Sequence, residues 1–273
     1  MTRTISLINN KGGVGKTTSC LNIGVALSLK GKKVLLVDID PQGNLSDAFL
    51  SINSLQYTIK DLLEGTITDI NQVIKKEVAP NIDILPSNNL LNGTEEKIIS
   101  TMARETLLKR ILEPIKSQYD YILIDCPPSL NLLVLNSLTA SSEAIIPIAT
   151  EYHALTGTNT ILQTIQQVKG LLNSNLVLSG VFITKYDERT NNDREIKDAI
   201  QQNFNSLCYK TIIRTNVRIK DATNNHKAVV TLDPTSNGAL DYIALVDEII
   251  NQELLIGGVR QWVNHYKITH LVI

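Results

Sequence analysis

Residues 11 to 18 read Lys-Gly-Gly-Val-Gly-Lys-Thr-Thr, an order of residue types suited to holding an anion. Glycines let the backbone come close to a charged group. A helix opening at Lys16 would aim its free N–H groups and the positive end of its dipole at the same group. Lys16 supplies charge for the terminal phosphates of a nucleotide and Thr17 a hydroxyl for Mg2+, while Gly12, Gly13, Val14 and Thr18 complete the expected lining for ATP. The stretch departs from the ordinary phosphate-binding pattern G-x-x-x-x-G-K-[ST]. Gly15, Lys16 and Thr17 close that pattern, but Asn10 stands in place of its first glycine and an extra lysine, Lys11, follows at once.

Two further segments bring carboxylates where a nucleotidase needs them. "VLLVDIDPQGN" is an apolar strand ending in Asp38 and Asp40, and "YDYILIDCPP" is one ending in Asp125. Asp125 has the position expected of a carboxylate that holds Mg2+ through water. Asp38 can serve the metal or simply cap the next turn. Asp40 is the candidate for orienting the attacking water, since it lies on a Pro41-Gln42-Gly43 segment able to move with nucleotide state. Pro127 and Pro128 make a second, stiffer segment able to sense the γ-phosphate.

Such residues work together only if parallel strands deliver them to one sheet edge. Strand-like apolar runs at 4–9, 33–38, 82–87, 119–126, 143–149 and 176–184 alternate with helical segments at 16–30, 94–117, 153–172, 191–204 and 236–255. That alternation predicts a single α/β domain built on a mostly parallel sheet with helices on both faces. Several strands are apolar without alternation, as strands covered on both sides should be. Residues 51–80 carry only short helical pieces such as "TIKDLLEG".

At 273 residues and 43% hydrophobic the chain can bury a large core, and 26 basic against 27 acidic residues exclude a protein coated in cationic charge. No run approaches the roughly 18 apolar residues of a membrane span, and "MTRTISLINN" lacks a leader-like stretch, so a cytoplasmic protein is expected. Cys20, Cys126 and Cys208 lie far apart without C-x-x-C spacing, which argues for buried thiols rather than a disulfide framework or zinc site.

Taken together, "KGGVGKTT", "DIDPQGN", "YDYILIDCPPSL", "EYHALTG", "TKYDERT" and "NVRIKDA" resemble the ParA/Soj-type partition ATPases, a branch of the deviant Walker A class that also includes MinD and the nitrogenase iron protein. The resemblance runs to about residue 255, giving an ATPase domain over 1–255 and a tail over 256–273. It implies an ATP-sandwich homodimer in which Lys11 reaches across to the partner's phosphates, with Lys11, Lys16 and Asp40 serving catalysis. It further implies a ParB-like activator, binding to nonspecific double-stranded DNA, and nucleoid association when ATP is bound. The first strand begins within four residues of the start, so no DNA-reading extension and no sequence-specific autorepression are expected.

Between Lys185 and Lys227 nine basic residues face six acidic ones, by themselves no more than a charged surface. The resemblance assigns Arg189 and Arg218 to the DNA backbone, with Lys220 beside them, and Pro234 of "LDPTSNGA" to the adenine. After Arg218 the family's L-S-E-A-P-S-x-G is replaced by "IKDATNNHK", without its proline and glycine. Val259, Trp262, Val263 and Tyr266 give the tail a helical apolar spacing, but Arg260 and Lys267 are thin cationic support for the membrane binding of a MinD-type positioning ATPase, the alternative reading. Docking on the body or a partner suits it better. An iron–sulfur reductase is disfavoured because Cys126 is the only cysteine near the second switch.

Overall fold

The computed structural model describes residues 2–151 and 154–256. Its strands are β1 (Arg3–Leu7), β2 (Val34–Asp38), β3 (Lys75–Ala79), β4 (Ile82–Leu85), β5 (Tyr121–Asp125), β6 (Glu143–Ala149), β7 (Val177–Tyr186) and β8 (Cys208–Arg214). They form one sheet in the order β3-β4-β2-β5-β1-β6-β7-β8, parallel throughout except for the antiparallel edge pair β3–β4.

Successive side chains of a strand point to opposite faces, and here both faces are apolar. Leu35, Val37, Ile122 and Ile124 enter one core, Val34, Leu36, Tyr121 and Leu123 the other. The helices Leu132–Ala140 and Thr156–Leu171 cover the first face; Lys16–Leu29 and Asn237–Ile256 cover the second.

The expected single α/β sheet is present, with differences in detail. The helix expected over 94–117 is broken into Thr94–Ile98, a 3-10 turn at Arg104–Thr106, Leu107–Leu112 and a second 3-10 stretch at Glu113–Gln118. Ala103 turns left-handed between the first two pieces and Pro114 opens the last, so no continuous hydrogen-bond ladder survives. The edge strands β3 and β8 and the helix Leu132–Ala140 are additions to the expected set. The tail beyond residue 256 lies outside the described residues, as do Tyr152 and His153 of the "EYHALTG" motif.

Candidate active site

Strand β1 delivers the loop. Asn9 anchors it from below, donating Nδ2 to the Pro147 carbonyl at 2.7 Å while its Oδ1 accepts the Lys11 N–H at 2.9 Å. From the side, the Thr184 hydroxyl at the end of β7 donates to the Val14 carbonyl at 2.8 Å. Gly13 and Gly15 have φ of 76° and 90°, a left-handed conformation that residues with a Cβ rarely adopt, and Gly15 caps the helix that begins at Lys16. The sequence-expected loop-to-helix junction is therefore formed. Lys16 is buried and folds back to donate Nζ to the Lys11 carbonyl at 3.1 Å. Burial pulls its ammonium below the ordinary lysine range, while the charges of Asp125 and Asp40 work the other way.

Leu7, Asp38 and Asp125 stand side by side at the ends of β1, β2 and β5, Asp38 and Asp125 being register partners. Their surroundings differ. Asp38 accepts from the Ser46 N–H at 2.8 Å and the Ser46 hydroxyl at 2.7 Å through one oxygen, and from the Asp40 N–H at 3.1 Å through the other. Burial pushes its pKa up to about 6 in spite of those donors. Asp125 is equally buried, yet no well-formed hydrogen bond reaches either of its oxygens. Burial first, and the Asp38 charge second, push it well above the carboxylate range; the nearby Thr17 hydroxyl and Lys16 charge offset this only in part. An orphaned carboxylate beside a hydroxyl at a phosphate loop fits a hydrated divalent cation, for Mg2+ takes few protein ligands and completes its shell with water and phosphate. No three His, Cys, Asp or Glu side chains converge into a ready-made cage among the described residues.

Asp40 begins the first switch segment. Its Oδ1 accepts the Gln42 N–H at 2.9 Å, and its carbonyl accepts the Gly43 N–H at 3.0 Å and the Ser87 hydroxyl at 2.8 Å. Pro41 is half-buried and Gln42 exposed; in the second segment Pro127 is buried and Pro128 exposed. Glu95 fixes the helix after that second segment by bonding the Leu132 N–H at 3.1 Å and the Asn131 side chain. Ser87 and Glu95 were not singled out by the motifs, because their partners lie far away in sequence, and Ser46 falls just past "DIDPQGN", eight residues from Asp38.

Lys11 behaves unlike Lys16. Its Nζ pairs with Glu151 at 2.6 Å, on the exposed side of the loop, and Glu151 also has Lys185 at 3.5 Å. The hydrogen bond from Lys11, with charge from both lysines, holds Glu151 below the usual carboxylate range. Both residues lie inside the recognised motifs "EYHALTG" and "TKYDERT", which supply the only sequence signal for them.

The basic residues expected to meet DNA lie at the same sheet edge. Tyr186 and Arg214, at the ends of β7 and β8, are register partners, so the segments bearing Arg189 and Arg218 leave the sheet together. Neither cation is idle. Arg189 pairs with Asp187 at 2.6 Å and holds that carboxylate down at about 2, whereas Arg218 pairs with Asp221 at 3.4 Å and Asp233 at 3.2 Å. Lys220 is exposed. Arg218, Asp221, Asn225, Leu232 and Asp233 line an open cleft of ≈ 370 Å³, and Pro234, next in sequence, is exposed. That wall is tied to the loop's own helix, because Asn22 Oδ1 accepts the Val229 N–H at 2.8 Å.

The chain is similar to known proteins over most of its length. Residues 2–178 match the family model described as "AAA domain". The chain is 41% identical to the sporulation initiation inhibitor protein Soj of Bacillus subtilis, covering 91% of this chain and 98% of that one, and 40% identical to the chromosome-partitioning ATPase Soj of Treponema pallidum, covering 93% and 99%. Among solved structures, cobyrinic acid a,c-diamide synthase from Mycobacterium smegmatis with bound ADP and magnesium superposes with a TM-score of 0.81 at 32% identity, over 93% of this chain and 96% of that one.

Proposed function

The chain belongs to the Soj/ParA family of chromosome-partitioning ATPases, and on that premise we propose that it is a DNA-segregation ATPase. It binds ATP with Mg2+, closes into a two-subunit sandwich, holds duplex DNA without regard to sequence, and lets go when a ParB-like partner stimulates hydrolysis. The observation that carries the nucleotide part of this reading is Asp125, a buried carboxylate without a well-formed hydrogen bond beside Thr17 and Lys16.

When bound, Mg-ATP supplies the phosphoryl group and the cation that spreads its charge. The chain's own residues do the rest. The loop N–H groups and Lys16 hold the terminal phosphates, Thr17 and Asp125 face the cation, and Pro234 borders the base. Asp40 orients a water for attack on the γ-phosphate, and Asp38 organises the first switch by gripping Ser46 and the Asp40 backbone. Lys11 completes the site of the other subunit. A cation delivered in trans stabilises transition-state charge only once two subunits have closed, the logic of an arginine finger, which is worth about 10³–10⁵ in rate. The ATPase domain spans 1–255.

Gly12→Val tests the dimer directly. A Cβ on Gly12 would meet nothing within 4 Å in the single chain, so the variant should fold and bind ATP. It should fail to dimerise with ATP in light scattering, and a normal ATP-induced dimer would refute the sandwich. Asp40→Ala should accumulate as an ATP-bound dimer; hydrolysis at the wild-type rate would remove Asp40 from its role.

A further inference from the structure

Glu151 has two lysines where one would neutralise it. Lys11 Nζ lies 2.6 Å from one carboxylate oxygen and Lys185 Nζ 3.5 Å from the other, and all three side chains are about half exposed. Lys185 reaches this place at a conformational cost. Its φ is 56°, in the left-handed region that a residue with a Cβ disfavours. Its surroundings fix it there. The Lys185 carbonyl accepts the hydroxyls of Thr150 at 3.2 Å and Thr215 at 2.8 Å, and Thr184 just before it grips the loop at Val14. As a result the ammonium hangs over the loop, 3.9 Å from where a methyl on Gly13 would lie.

We propose that Lys185 is a positioning residue for subunit closure: it takes over Glu151 when Lys11 turns from that carboxylate to the partner's phosphates. This rests on the proposed action of Lys11 in trans. Turning Lys11 away would otherwise leave Glu151 an uncompensated anion close to an incoming triphosphate, and like charges at that range oppose closure. A second lysine already beside the free side of the carboxylate removes most of that opposition. Lys11 is thereby held in the single chain by a partner that can release it.

The test is an ATP titration of dimerisation by light scattering, with wild type, Lys185→Met, Lys185→Arg, Glu151→Gln and the double variant Lys185→Met/Glu151→Gln. An exposed ion pair is worth up to about 1 kcal/mol, so Lys185→Met should raise the ATP concentration at half-dimerisation by about two- to fivefold. Lys185→Arg, which keeps the charge on the same backbone, should restore it. Glu151→Gln removes the anion that needs neutralising, so the double variant should match Glu151→Gln alone. Equality of Lys185→Met with wild type, failure of Lys185→Arg to rescue, or a double variant as impaired as Lys185→Met overturns the exchange. A wild type that dimerises normally in those cases leaves the proposed function standing, whereas a wild type that stays monomeric in ATP overturns both.

Discussion

Burying the Asp125 carboxylate with no well-formed hydrogen bond to either oxygen works against the nucleotide-free fold, because the unfolded chain would solvate the same charge in water. The side chain gains a purpose only when a cation arrives. Asp125→Asn should therefore raise the melting temperature of the nucleotide-free protein while abolishing its response to Mg-ADP. Ligand at a hundredfold excess over Kd stabilises by about 2.7 kcal/mol, or about 5–10 °C for a chain of this size, and a scan with and without Mg-ADP reads both effects. Asp38 adds a pH dependence of definite sign. Its folded pKa of about 6 lies above the ordinary value of about 3.9, so the folded state binds that proton more tightly. Its contribution is most favourable below the ordinary value and is lost as pH rises through about 6. Urea midpoints at pH 4.5 and 7.5 should show this loss in wild type, and Asp38→Asn should show less of it.

The short helix Asn44–Asp47 owes its position to Ser46, whose N–H and hydroxyl both reach Asp38 while its oxygen accepts the Ser87 N–H at 2.8 Å. Ser46→Ala deletes the hydroxyl and leaves the buried carboxylate one donor short. Hydrogen bonds to charged groups are worth about 1.5–3 kcal/mol, so a denaturation midpoint should fall accordingly, and the first switch should become more open to proteolysis. None of this was legible in the motif "DIDPQGN", which marks Asp38 and Asp40 but says nothing of a serine that matters only through tertiary contact. The same division runs through the elements. The central strands β2 and β5 were readable because burial on both faces leaves an apolar run up to the closing aspartate. Edge strands β3 and β8 were not, for Lys76 and Glu77 are exposed in one and Lys210 in the other. The helix Leu132–Ala140 is apolar on nearly every side, so it lacks the 3.6-residue periodicity that announces a surface helix.

At the scale of the whole molecule, nearly balanced charge means that the proposed DNA affinity must come from local cations, and the two arginines among the three expected there are already matched to carboxylates of their own chain. Under the proposed function, phosphate would displace an acid rather than meet a free guanidinium, which would keep a single subunit weak on DNA and make a closed pair, with twice the basic surface, much stronger. Arg189→Ala and Arg218→Ala should each weaken binding uniformly across sequences and lower the salt slope by about one for every phosphate left without its cation. Asp221→Asn argues in the opposite direction. It frees Arg218 from one of its two competing acids on an exposed helix face, and an exposed pair is worth up to about 1 kcal/mol, so affinity for unrelated duplex DNA in the presence of a slowly hydrolysed ATP analogue should rise by about two- to fivefold. A salt series with ADP as control reads this gain. Unchanged affinity in Asp221→Asn together with an unchanged salt slope in Arg218→Ala would take Arg218 off the DNA and assign it to the cleft beside Pro234, whereas binding to anionic liposomes instead of DNA would favour a MinD-type role for the family fold.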